Sequence, residues 1–207
     1  MSSEGIMVHD LALKSSRRLI VEFGMGDGLL LEKLAQQNYD IKLVPINAKA
    51  TYVGIEIDKN EFKVAKSRMG DNGNVILFNA PMEEIVPLFS NCTIDQILCI
   101  LPDPSYIDKS KQSEWELFYK TTYLKLKNQG LFRLVTELTD ELLEPVSDEA
   151  YEAWVQWLVQ SFQSLGFTIK ETMHSSPKEY TTRYLTQFRG DTGRIRIVTL
   201  DFERQLE

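Results

Sequence analysis

Val21-Glu22-Phe23-Gly24-Met25-Gly26-Asp27-Gly28 is the stretch that decides the fold. The run Arg18 to Phe23 before it is apolar and β-branched, which predicts a strand. After it, Leu29, Leu30, Leu31, Leu34 and Ala35 recur at helical spacing. Gly24, Gly26 and Gly28 therefore sit at a strand-to-helix turn. Glycine there lets the backbone take unusual φ values and approach a ligand closely. A helix opening at that point directs free N–H groups into the same crevice. Dinucleotide sites use Gly-x-Gly-x-x-Gly to seat a pyrophosphate. Here Gly28 comes one residue too early for that pattern, which argues against a nicotinamide dehydrogenase. The alternative is a plain glycine turn with no ligand.

Outward from this turn, strand and helix alternate almost to the end of the chain. Strands are predicted at Arg18–Gly24, Thr51–Asp58, Val75–Ala80, Asp95–Leu101, Leu131–Thr136, Phe167–Thr172 and Ile195–Phe202. Helices are predicted at Gly28–Gln37, Lys59–Met69, Met82–Phe89, Glu114–Leu126 and Asp148–Leu165, with Gly166 as the last helix's cap. Consecutive β-α-β units imply an α/β fold, a parallel sheet with helices on both faces. No helix separates the last two strands, so the final strand should run antiparallel to its neighbour. Two stretches do not fit. Tyr39 to Ala50 is longer than an αβ connection needs. Lys178 to Arg194 reads as a long polar loop rich in Thr, Arg and Gly, the kind of segment that carries function on a rigid scaffold.

The chain has 207 residues, enough for one domain, with residues 1–17 read as an N-terminal extension. Hydrophobic residues make up 43% and charged residues 26%, which excludes a disordered chain. The formal net charge of −7 argues against a surface coated with positive charge for nucleic acid, but leaves room for a local patch. Cys92 and Cys99 give no disulfide framework, and His9 and His174 lie far apart. No ligand spacing suggests a metal site. No stretch approaches 18 apolar residues, and the first residues lack an apolar signal core. The expectation is a soluble cytoplasmic protein with no membrane partner, monomeric or homodimeric.

Four polar residues fall where the strands end, and ligands of open α/β sheets bind beyond those ends. A carboxylate at Glu22, beside the glycine turn, would repel a pyrophosphate but suits a cationic ligand. S-adenosylmethionine, with its ammonium and sulfonium, has that sign. Glu56, after the second strand, can accept from both ribose hydroxyls. Asn79 offers a donor and an acceptor to an adenine edge. Asp103, in Leu101-Pro102-Asp103-Pro104, is fixed between two prolines after a buried strand. Each could instead be an ordinary solvated strand-end residue.

Taken in order, Glu22 to Gly28, Gly54-Ile55-Glu56-Ile57-Asp58, Phe78-Asn79-Ala80, Leu101-Pro102-Asp103-Pro104, Gly130 with Leu134 to Glu137, and Thr181-Thr182-Arg183-Tyr184 resemble the bacterial tRNA (guanine-N7)-methyltransferase family. The resemblance runs from about Arg18 to Arg204. It implies a Rossmann-like class I methyltransferase fold with seven strands, and S-adenosylmethionine contacts at Glu22, Glu56 and Asn79 alongside the glycines. It implies a catalytic role for Asp103 in the cofactor cleft, and tRNA contacts at Glu137 and in the Thr182-Arg183-Tyr184 loop. The chain departs from the family at Ser105, where a Trp is usual, and at Leu185, where a Glu is usual. The basic run after Asp103 is also shortened to Lys109 and Lys111. These departures keep open an enzyme acting on another RNA or a small molecule, and a non-catalytic binding module. Three sets of cations could meet phosphates: Lys14, Arg17 and Arg18 before the first strand; Lys109, Lys111, Lys120, Lys125 and Lys127; and Lys178, Arg183, Arg189, Arg194 and Arg196.

Overall fold

The computed structural model describes residues 17–140, 142 and 144–205. Lys14, His9 and most of the expected N-terminal extension lie outside these residues. Seven strands form one sheet in the order β3-β2-β1-β4-β5-β7-β6. They are β1 (Arg18–Phe23), β2 (Ala50–Ile55), β3 (Val75–Phe78), β4 (Ile94–Ile100), β5 (Leu126–Thr139), β6 (Phe167–Met173) and β7 (Ile195–Arg204). β1 pairs in parallel with both β2 and β4, so the chain reverses its direction of travel across the sheet there. That reversal opens a crevice at the carboxyl ends of β1 and β4. β7 is antiparallel to both β5 and β6, as expected for the final strand, although a short helix does lie between the last two strands.

The helices are α1 (Leu29–Gln37), α2 (Lys59–Met69), α3 (Met82–Ile85), α4 (Gln112–Lys125), α5 (Asp148–Ser164) and α6 (Arg183–Arg189). Strand alternation divides the core in two. Leu19, Val21 and Phe23 of β1 face α4 and α5, meeting Phe118, Tyr119, Leu158 and Phe162. Ile20 faces the other way, toward Leu31 and Leu34 of α1 and Ala65 of α2. Each fully buried Leu or Phe in these layers contributes about 1.5–3 kcal/mol. α2 begins where the Asp58 carboxylate accepts from the N–H groups of Asn60 and Glu61, at 2.8 and 2.9 Å.

The two stretches that resisted the sequence reading fold against each other. The Tyr39–Ala50 connection is held by Asn38, whose side-chain amide donates to the carbonyls of Ile46 and Ala48. It inserts Ile41, fully buried, beneath the sheet. Lys178–Arg194 is not all loop. It contains α6, capped by the Thr182 hydroxyl, which accepts from Leu185 N–H. Leu185, fully buried, pins this short helix to the α1 face. β5 is also longer than expected. It begins at Leu126 and passes an irregularity, with its partners on β4 jumping from Ile94 to Gln96.

Candidate cofactor and acceptor site

The glycine turn separates into parts with different duties. Gly24, Gly26 and Gly28 all have positive φ, at 61°, 56° and 73°. A side chain at Gly24 or Gly26 would meet open space, so these positions face a void. A Cβ at Gly28 would lie 2.9 Å from Ala65 Cβ and 3.0 Å from Met69 Cε. Gly28 therefore lets α2 close against the turn rather than lining a cavity. The turn is fastened to α2 by Arg68, which donates to the Asp27 carbonyl and carboxylate at 3.1 and 3.0 Å.

Two cavities open beside the turn, and Glu56 belongs to the walls of both. The first, about 230 Å³, runs from Gly24 across the ends of β2 and β4 to Asp103 and Tyr106, with Ile57, Ala80 and Met82 as its apolar side. The second, about 670 Å³, brings Gly26, Asp27, Glu56, Asp58 and Glu61 together with Thr182, Arg183 and Tyr184. Sequence positions more than 150 residues apart thus share one chamber. The exposed Tyr184 ring stands beside the Arg183 guanidinium, 5.9 Å away.

The structure places the remaining candidates more variously. Both Glu56 carboxylate oxygens already accept backbone N–H groups, from Gly26 at 2.9 Å and Asp58 at 2.7 Å. Its first duty is to brace the turn, and only its remaining lone pairs can meet a ligand. Asn79 donates to the carbonyls of Glu56 and Ile57 at 2.8 and 3.2 Å. It therefore latches the end of β2 and lies beside the cavities, not in their walls. Glu22 points into the α1-side core, only 2% exposed, with Oε2 unpartnered. Burial, reinforced by Asp27 and Glu56, pushes its carboxyl up to about 8. At neutral pH it is mostly protonated, not the open carboxylate expected from the sequence. Glu137, half-buried at the end of β5, is pushed by burial to about 7, and its Oε2 is also unpartnered.

Asp103 is held differently. The Ser105 hydroxyl and N–H both donate to its Oδ1, at 2.6 and 2.9 Å. These bonds keep its carboxyl below the usual range, so it is a carboxylate at neutral pH. Ser105, the residue that departs from the family pattern, is thus the one that orients Asp103. The preceding Leu101 takes φ 48°, a conformation that costs about 1–3 kcal/mol outside glycine. Tyr106 donates to Glu83 and closes the cavity's far wall. The sequence reading missed Tyr106, Ile57 and the acids Asp27, Asp58 and Glu61. Their signal was only nearness to motifs, at strand ends and helix starts.

The cations also resolve into groups. Arg196 pairs with Asp148 at 2.7 Å, and Arg194 pairs with Asp191. Arg189 donates to Ser176 Oγ at 2.8 Å and to the Pro177 carbonyl. Lys127 pairs with Asp95 at 2.7 Å, and Lys125 donates to Asn91. Arg183, in the chamber wall, and Lys178 stay exposed. No helix among the described residues is long and apolar enough to cross a membrane.

A seven-stranded sheet of this order, with its crevice at β1 and β4, defines a class I methyltransferase fold. The family model described as "Putative methyltransferase" matches residues 16–194, and the chain belongs to that family. Solved structures agree on the fold. The 16S rRNA methyltransferase KamB is 15% identical, with TM-score 0.70, covering 96% of this chain and 93% of that one. A 16S rRNA (adenine(1408)-N(1))-methyltransferase from Catenulisporales acidiphilia, solved as a mutant with cosubstrate SAM, is 10% identical with TM-score 0.66, over 100% and 93% of the two chains. An antibiotic-related methyltransferase is 17% identical with TM-score 0.63, over 100% and 96%. No curated protein matches by sequence.

Proposed function

We propose that this protein transfers a methyl group from S-adenosylmethionine to N7 of a guanine in tRNA. The cofactor is S-adenosylmethionine, which supplies an electrophilic methyl group on a sulfonium. The residues present suit it. Ile57, Ala80 and Met82 offer apolar surface for the adenine, and Glu56 keeps lone pairs for the ribose. Gly24 and Gly26 leave room for close approach of the backbone, and Asp103 provides a fixed negative charge. The observation that carries the reading is the shared chamber. Glu56 borders the cavity that reaches Asp103 on one side and the Thr182–Tyr184 segment on the other.

Guanine N7 has a lone pair and no proton to lose, so the reaction needs no general base. The chain's residues have to align the reactants and match the field to moving charge. Positive charge passes toward the base during transfer, and the Asp103 carboxylate at the cavity's edge opposes that charge. Carboxylates in the chamber are acceptors for the guanine N1 and N2 donors, the Tyr184 ring offers a stacking face, and Arg183 and Lys178 are free to meet phosphate. Cytoplasmic location and the choice between monomer and homodimer belong to the same proposal.

One observation favours a second reading. The chamber carries Asp27, Glu56, Asp58 and Glu61 against a single Arg183, and the buried Leu185 stands where the resembled family has a Glu. That surplus suits a small cationic acceptor. Tritiated-methyl transfer to purified bulk tRNA, with cofactor binding followed by calorimetry, separates the two. Transfer is expected, and Asp103→Ala is expected to reduce it about 100-fold or more at saturating cofactor. Cofactor binding with no transfer to any tRNA refutes the tRNA reading.

A further inference from the structure

Arg133 stands in the middle of the sheet, almost fully buried, one of two arginines among the buried residues. Its guanidinium makes a two-pronged bond to the fully buried Asp201 of β7, at 2.6 and 2.8 Å. Lys42, from the long Tyr39–Ala50 connection, reaches the same Asp201 at 2.7 Å. The remaining arm of Arg133 donates to the Tyr180 hydroxyl at 3.1 Å, and that hydroxyl donates in turn to the Ile41 carbonyl. Tyr180 is fully buried and stands two residues before Thr182. Five residues on, Leu185 is fully buried as well. Between these two anchors lie Thr182, Arg183 and Tyr184, the three that line the chamber.

An ion pair of this kind is a poor way to gain stability, because apolar residues of the same volume often do as well. It does provide direction. A tyrosine ring alone could settle at several depths, whereas a hydroxyl bonded to both a guanidinium and a carbonyl fixes one position. We infer that the buried Arg133–Asp201–Tyr180 seam sets the position of the Thr182–Tyr184 segment, making Tyr180 and Arg133 positioning residues for the methyl acceptor. The inference rests on the reading of that segment as the acceptor contact.

Tyr180→Phe keeps the ring and removes the hydroxyl. Arg133→Lys keeps a cation for Asp201 and gives up the bond to Tyr180. Steady-state transfer to bulk tRNA is measured for both, beside Tyr184→Ala and with cofactor Kd from calorimetry. The expected result is an acceptor KM about tenfold higher in Tyr180→Phe and Arg133→Lys, the order of one lost charge-assisted hydrogen bond. In both variants kcat and cofactor Kd stay within about twofold of wild type, a split that general loosening of the fold does not produce. An unchanged KM in these two variants, with a raised KM in Tyr184→Ala, overturns the inference and leaves the acceptor segment standing. An unchanged KM in Tyr184→Ala overturns both. A parallel fall in kcat, acceptor affinity and cofactor affinity also overturns the inference, since it reports the fold alone. Should one core variant fail to fold, the other decides by the same readouts.

Discussion

The burial of Glu22 makes a measurable prediction about how stability depends on pH. In the unfolded chain its carboxyl titrates near 4.5, and in the folded protein burial beside Asp27 and Glu56 moves it to about 8. Between those values the folded state holds a proton that the unfolded state has lost. Stability from this group is therefore complete below pH 4.5 and falls as pH rises to 8. The slope is about 1.4 kcal/mol per pH unit, so the whole window is worth on the order of 3–5 kcal/mol. Glu22→Gln keeps the shape and cannot ionise. Its amide protons would lack acceptors, a fixed cost of about 1–3 kcal/mol that does not vary with pH. Urea midpoints of wild type and Glu22→Gln, taken from pH 5 to 9 without cofactor, should cross, with the variant gaining on wild type until pH 8 and running parallel beyond. Glu137 titrates in both proteins and cancels in the difference. Cofactor adds a second signature. A cationic ligand bound beyond the glycine turn favours the carboxylate, so wild type should release protons on binding below pH 8, seen as heats that depend on buffer, and the variant should release fewer. Stability profiles that stay parallel throughout would refute the placement of Glu22 as a buried acid.

Two further outcomes test the packing around the site. Gly28→Ala should lower stability by about 2–4 kcal/mol in urea denaturation, because its Cβ would meet Ala65 at 2.9 Å at φ 73°. Gly26→Ala faces open space and should cost about 1 kcal/mol, with its main effect on cofactor affinity by calorimetry. Arg133→Leu strands the buried Asp201 with only Lys42 opposite and should cost about 3–5 kcal/mol in the same denaturation assay. Changing Asp201 to Leu as well should recover most of that loss, and a double variant as unstable as the single one would show that the pair's attraction dominates its desolvation.

How much could be read from the sequence follows from where each residue's partners lie. The turn at Gly24–Gly28, the alternation of strands and helices, and the antiparallel last strand are set by neighbours within a few positions. Local periodicity and glycine spacing carry them. α6 was not legible because its seven residues have little amphipathic pattern. It exists by virtue of the Thr182 cap and one buried anchor, Leu185, which joins the apolar cluster on the α1 face. The same holds for charge. Glu22 reads as a free carboxylate in a string of letters, and only the packing of the α1 face makes it a neutral acid. Arg196 and Arg189 read as cations open to phosphate until the fold supplies Asp148 and Ser176. Arg133 gave no signal because its meaning depends on Asp201, 68 residues away. Motif residues thus announced the location of the cavities. Their working state, whether ionised, braced or engaged elsewhere, is fixed by long-range partners. For that reason Asp103, whose orientation comes from Ser105 two residues on, is the one candidate acid whose charge could be inferred from its immediate neighbours alone.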